Sequence, residues 1–134
     1  MRLSKSMQFV NYISAPFAGI NKTPTTLITT DSNTLVIISL IVCNRVRTPI
    51  RFYLKKVSAG ISPKETFYIN EFEIKPYDTV DIVKEKGLNI FLQYSQTPTI
   101  SDSLVCFSNG EGQIFDCELN YAQLKELPSP YSMV

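Results

Sequence analysis

Histidine is absent from this chain. With it go the usual general base, the commonest metal ligand and the partner that activates a nucleophilic Ser or Cys. An enzyme built on this sequence would have to work with carboxylates or lysine, and none is expected. Tryptophan is absent as well, so the aromatic residues are all Tyr and Phe. Neither sign of charge dominates: 13 basic residues stand against 12 acidic ones, a net charge of +1. A nucleic-acid groove needs a basic excess on one face, so no sequence-specific nucleic-acid partner is expected. The cysteines, Cys43, Cys106 and Cys117, are odd in number and widely spaced. They fit neither a zinc pattern nor a disulfide framework, and buried reduced thiols are expected. No metal or other cofactor is implied. No apolar run approaches the ~20 residues of a membrane helix. The N-terminal segment is broken by Gln8, Asn11, Ser14 and Pro16 before any signal-peptide core can form. The expectation is a protein made in a cytoplasm, without a membrane partner.

What the chain does hold is a composition suited to one globular domain: 134 residues, 44% of them hydrophobic. Its organising stretch is Leu35-Val-Ile-Ile-Ser-Leu-Ile-Val-Cys43, bracketed by Thr29-Thr-Asp-Ser-Asn33 and Asn44. Val and Ile predominate, and branching at Cβ suits a pleated strand. Around it the sequence predicts short strands. Residues 24–30 form an edge strand that starts at Pro24. Residues 50–57 alternate, with Ile50, Phe52 and Leu54 inward. Residues 66–69 and 71–75 are two pieces joined at Asn70, and residues 88–94 keep Leu88, Ile90, Leu92 and Tyr94 in phase. Ser108-Asn-Gly-Glu-Gly112 reads as a hairpin tip between residues 103–107 and 113–121. That hairpin would set the Cys106 and Cys117 thiols side by side on neighbouring strands. Residues 122–127 suggest a helical turn stopped by Pro128.

The predicted fold is all-β: an antiparallel sandwich, jelly-roll-like or immunoglobulin-like, of about eight strands with extended terminal arms. The predicted boundaries are an arm at 1–24, the sandwich at 25–121, and a helical turn and tail at 122–134. The core would hold Val36, Ile38, Leu40 and Val42 from the organising strand. Its other phase, Leu35, Ile37, Ile41 and Cys43, is equally apolar, and only one phase can face a sandwich interior. A terminus or another chain must cover the rest, because a bare patch of that size is a binding site or an aggregation hazard. Leu35, Ile37 and Ile41 are therefore expected at an oligomer interface, together with the arm residues Phe9, Tyr12 and Phe17 and the tail residue Tyr131.

Weaker signals point to bland roles. Asp78 and Asp81 lie near Glu71, Glu73 and Glu85, and a carboxylate pair can cleave a glycoside. A turn aspartate and outward-alternating glutamates, however, are what a solvated surface carries. Gly110-Glu-Gly112 lacks the strand-to-helix setting of a phosphate loop. Arg45, Arg47, Arg51 and Lys55 form the basic cluster, with Tyr53 among them; a solvated face or a salt-bridging subunit contact accounts for it. Tyr53, Tyr68, Tyr77 and Tyr94 would serve a carbohydrate-binding module if they shared a concave face.

The order of these pieces resembles a known group. A long apolar strand ends in Asn44 and an alternating strand follows it. Then come Phe72-Glu-Ile-Lys-Pro-Tyr-Asp-Thr79 and Gly87-Leu-Asn-Ile-Phe-Leu-Gln-Tyr94. This order is similar to that of the small β-sandwich virion proteins of tailed bacteriophages. The likeness covers residues 25–107 and departs from the pattern at Lys84-Glu-Lys86. It implies a non-enzymatic virion component present in many symmetric copies. The expected place is a ring in the head–tail neck or the tail, with head decoration as the alternative. Its partners would be copies of itself and other neck, tail or capsid proteins.

Overall fold

The computed structural model describes residues 6–60, 63–96 and 99–127. In chain order the elements are β1 (Ser6–Ile20), β2 (Thr25–Thr29), β3 (Thr34–Asn44), β4 (Ile50–Gly60) and β5 (Lys64–Ile74). Then come β6 (Thr79–Asp81), α1 (Ile82–Lys86), β7 (Phe91–Leu92), β8 (Tyr94–Gln96), β9 (Thr99–Ser108) and β10 (Phe115–Leu127). Two antiparallel five-stranded sheets face each other. Sheet I runs β1-β10-β3-β6, with β7 also on β3; sheet II runs β2-β9-β4-β5, with β8 also on β9. The chain changes sheets from β1 to β2, β2 to β3, β3 to β4, β5 to β6, β7 to β8 and β9 to β10. This interleaving is the double Greek-key order of a jelly roll. The expected sandwich is present, and of the two variants expected it is the jelly roll.

The interior is filled from both sheets. Leu40, Val42, Phe115 and Leu119 of sheet I meet Phe52, Leu54, Leu104 and Cys106 of sheet II in one cluster. Phe52 and Phe115 touch edge to face across it, ring centroids 5.3 Å apart. Burial of side chains this large supplies most of the stabilisation, at about 25 cal/mol per Å². Ile50, Phe52, Leu54, Ile90 and Leu92 are buried as expected from their alternation.

Four sequence-based expectations are corrected. The first concerns β3. Ser39 pairs with Asn120 and Ile37 with Tyr121, so Ile38 has no partner on β10. This extra residue is a β-bulge, and it inverts the parity of the strand. Leu35 and Ile37 on one side of it, and Leu40 and Val42 on the other, all enter the core. Ile38 is turned out and 47% exposed, while Val36, Ile41 and Cys43 are half-buried. Leu35 and Ile37 thus have no surface to offer a neighbouring subunit.

The second concerns the arm. Residues 6–20 form the outer strand of sheet I, paired with β10 from Ser6–Leu127 to Ile20–Phe115. Register shifts between Phe9 and Asn11 and between Phe17 and Ile20 break the alternation that would have marked a strand. The third concerns residues 122–127, which continue β10 to Leu127 instead of forming a helical turn. The sandwich strands therefore run from Ser6 to Leu127, beyond the expected 25–121.

The fourth concerns the hairpin. β9 belongs to sheet II and β10 to sheet I, so Ser108–Gly112 is an arch between sheets. Ser108 Oγ donates to the Gln113 carbonyl at 2.6 Å and Ser108 N to the Asn21 carbonyl at 3.0 Å, which holds the arch closed. Cys106 and Cys117 are buried and free, and their thiols do interact, but across the sandwich interior. A hydrogen bond with Cys117, then burial, pushes the Cys106 thiol well above its ordinary value.

Two polar side chains tie the elements together at opposite ends. Asn44, fully buried, places Nδ2 at 2.9 Å from the Thr48 carbonyl, 3.0 Å from Ile74 and 3.1 Å from Lys75. Its Oδ1 accepts from Val46 N at 2.9 Å. Asp102, 2% exposed, accepts from Ser58 Oγ at 2.6 Å and from Gln93 N at 2.8 Å. It fixes the point where the chain leaves β7 of sheet I for β8 of sheet II.

Candidate assembly surface

The outer face of sheet I is built in rows, because residues directly opposite on antiparallel strands share a face. One row crosses four strands: Tyr12 faces Ala122, Ala122 faces Val36, and Val36 faces Phe91. Every member is apolar or aromatic. Tyr12 is 70% exposed and Phe91 48%, while Val36 between them is half-buried and Ala122 fully covered; Ile38 joins the exposed members because the bulge turns it outward. The next row is polar and uncharged: Ser14 donates to Asn120, and Asn120 Nδ2 donates to Ser39 Oγ at 2.7 Å. The third row is Pro16, Glu118, Ile41 and Asp81. There Pro16, Phe17, Ala18, Ile41 and Cys43 line a shallow groove of ≈ 440 Å³ with Asp116, Cys117 and Glu118. The face is thus apolar at one end and acidic at the other. At the acidic end the Asp116 charge is met by Arg45, whose Nη1 lies 2.6 Å from Oδ2.

Of the expected interface residues, Ile41 and Tyr12 lie on this face. Phe17 is partly buried against the core. Phe9 is placed by its pairing with Leu124, and Tyr131 lies outside the described residues. Sequence reasoning missed Val36, Ile38 and Phe91. The first two were assigned to the core, and only the bulge reverses them.

The basic cluster does not gather into one patch. Arg45 serves Asp116 on sheet I. Lys55, on the outer face of sheet II, binds Glu65 at 3.0 Å and sits 5.8 Å from both the Phe67 and Phe107 ring centroids. Arg51 stands opposite Glu73, and Arg47 is exposed in the β3–β4 connection. The tyrosines are equally dispersed. Tyr53 stacks on Phe107 at 4.9 Å and donates to Glu71 Oε1 at 2.9 Å. Loss of solvation, then the hydrogen bond to Glu71 and its negative charge, holds this phenol above its ordinary value. Tyr68 packs toward the core, Tyr77 occupies the β5–β6 turn with φ +56°, and Tyr94 lies on β8.

The carboxylates near Asp78 have local work. Asp78 Oδ1 accepts from Thr79 N at 3.0 Å. Asp81 caps α1, accepting from Lys84 N at 3.4 Å, and also accepts from Leu40 N at 3.3 Å. With Glu73 and Glu85 they line an open depression of ≈ 610 Å³. Among the described residues no group of acidic or cysteine side chains could hold a metal ion. None of the described helices is long and apolar enough to cross a membrane.

Two solved structures are similar in outline. A chain in the structure of infectious bursal disease virus Gx strain gives a TM-score of 0.43 at 9% identity, covering 99% of this chain and 44% of that one. A chain in the Gt strain structure gives 0.34 at 7% identity, covering 95% and 43%. This chain therefore spans less than half the length of either. No family model and no curated protein matches the sequence.

Proposed function

We propose that this protein is a non-enzymatic structural subunit of a virus particle, assembling with copies of itself and with other virion proteins. The observation that carries the reading is the outer face of sheet I: exposed Tyr12, Ile38 and Phe91 along an apolar row that crosses four strands of a jelly roll. An isolated soluble domain gains nothing from such a row, whereas an assembly buries it. Asp78 and Asp81 are occupied in turn and capping bonds, which fits a structural role. The narrower placement, a ring in the neck or tail of a tailed phage, rests on the strand-and-turn resemblance of residues 25–107.

The test is native mass spectrometry and electron microscopy of the chain, alone and co-expressed with the products of neighbouring genes. Closed symmetric assemblies are expected, with no turnover on glycoside or ester substrates. Hydrolase activity that disappears in Asp78→Asn would overturn the reading. So would a chain that stays monomeric with every neighbour tested.

A further inference from the structure

The four sheet edges are protected unequally. Sheet II ends on one side at β5, which carries Lys64, Glu65, Glu71 and Glu73 and is distorted at Glu71, φ +62°. On its other side lie β2, five residues long and preceded by Pro24, and β8, three residues long. One edge of sheet I consists of β6 and β7, three and two residues long. Charge, brevity and proline are the usual means of keeping an edge from pairing with another chain. The remaining edge, β1, carries one proline, Pro16, but neither charge nor brevity. It is 15 residues long, and Ser-Met-Gln-Phe-Val-Asn-Tyr-Ile-Ser-Ala-Pro-Phe-Ala-Gly-Ile contains no charged residue. Among the described residues it pairs with β10 alone.

We propose that the outer edge of β1 is completed by β1 of a second copy of this chain, antiparallel about a two-fold axis within Asn11–Ala15. Register with β10 is unbroken from Asn11 to Phe17, and Pro16, which lacks an N–H, ends the stretch able to donate. A two-fold axis sets the strand against itself, and an uncharged strand meets no like charge in any register. The apolar row also ends at this edge. Phe91, Val36 and Ala122 lead to Tyr12, and a two-fold axis here places the two copies' rows next to each other as one band. A partner of different sequence would have to reproduce both features. The pairing stands without the virion reading, since a dimer joined this way needs no particle.

The full chain is examined by sedimentation at high micromolar concentration and by hydrogen exchange resolved to single amides. Sedimentation is expected to give twice the 15.2 kDa chain mass. In a bare edge strand alternate amides face solvent and exchange. In the dimer both sets in 11–15 are protected, and the outer set loses protection on dilution. Tyr12→Lys opposes two like charges near the axis and is expected to raise the dissociation constant about tenfold. The variant is expected to fold and to melt cooperatively as a monomer. Tyr12→Glu behaves likewise, and mixing the two variants restores the dimer. A monomer at high concentration overturns the proposal, as does an oligomer in which the outer amides exchange freely. Outer amides that stay protected in the monomer also overturn it, because the chain's own residues would then cover the edge.

Discussion

Asn44 shows at the scale of one residue how a polar side chain ends an apolar strand. The sequence marks it as a turn residue, but the structure gives it a larger task. It satisfies carbonyls of the β3–β4 connection and of the end of β5 while holding Val46 N. A buried carbonyl without a donor costs its desolvation, and Asn44→Ala strips more than one. The expected loss is about 3 kcal/mol in urea unfolding, with near-native circular dichroism. A change within the scatter of surface substitutions would show that water replaces the amide. The full role is not legible in the sequence, because two of the carbonyls it satisfies lie 30 and 31 residues further along.

At the scale of the element, the same sequence features were compatible with two structures each. That residues 35–43 form a strand is legible, since Cβ branching is a local property. Their facing is not, because one unpaired residue inverts it and the bulge is defined only against β10. The two pieces joined at Asn70 were closer to the truth: they are one strand distorted at the positive-φ Glu71. Ser108–Gly112 has the turn chemistry of a hairpin, but arches use the same residues, and sheet membership is decided by distant strands. The bulge makes a sharp comparison possible. Ile37→Lys buries an unpaired charge and is expected to cost more than about 3 kcal/mol, enough to unfold much of the protein. Ile38→Lys, one residue on, should cost less than about 1 kcal/mol and leave a folded chain. Equal melting temperatures for the two variants would show that the bulge lies elsewhere. The outer-face part of the candidate surface became legible only once this inversion was known.

At the scale of the whole molecule, the last strand holds the first together with the rest. β10 lies between β1 and β3, so sheet I has no continuous ladder until residues 115–127 arrive. Ser6 pairs with Leu127, the first and the last of the described residues. Loops this long close slowly, and a topology dominated by distant pairings folds late in the range for small domains. It also follows that no N-terminal fragment holds a smaller version of the fold. A chain ending at Ile114 keeps β2, β4, β5 and β9 but loses Phe115, Cys117 and Leu119 from the core. Its sheet II would then face β1 without its partner and β3 paired only with the short β6 and β7. This truncated chain is expected to show no cooperative thermal transition by circular dichroism and to sediment as aggregates, its apolar face being uncovered. A transition near that of the full chain would mean that sheet II is stable alone, and that sheet I is a layer added to a self-sufficient unit. The strand order opposes that outcome. Chain crossings from β1 to β2, β2 to β3 and β3 to β4 interleave the two sheets from the first strand onward, so neither sheet is contiguous in sequence.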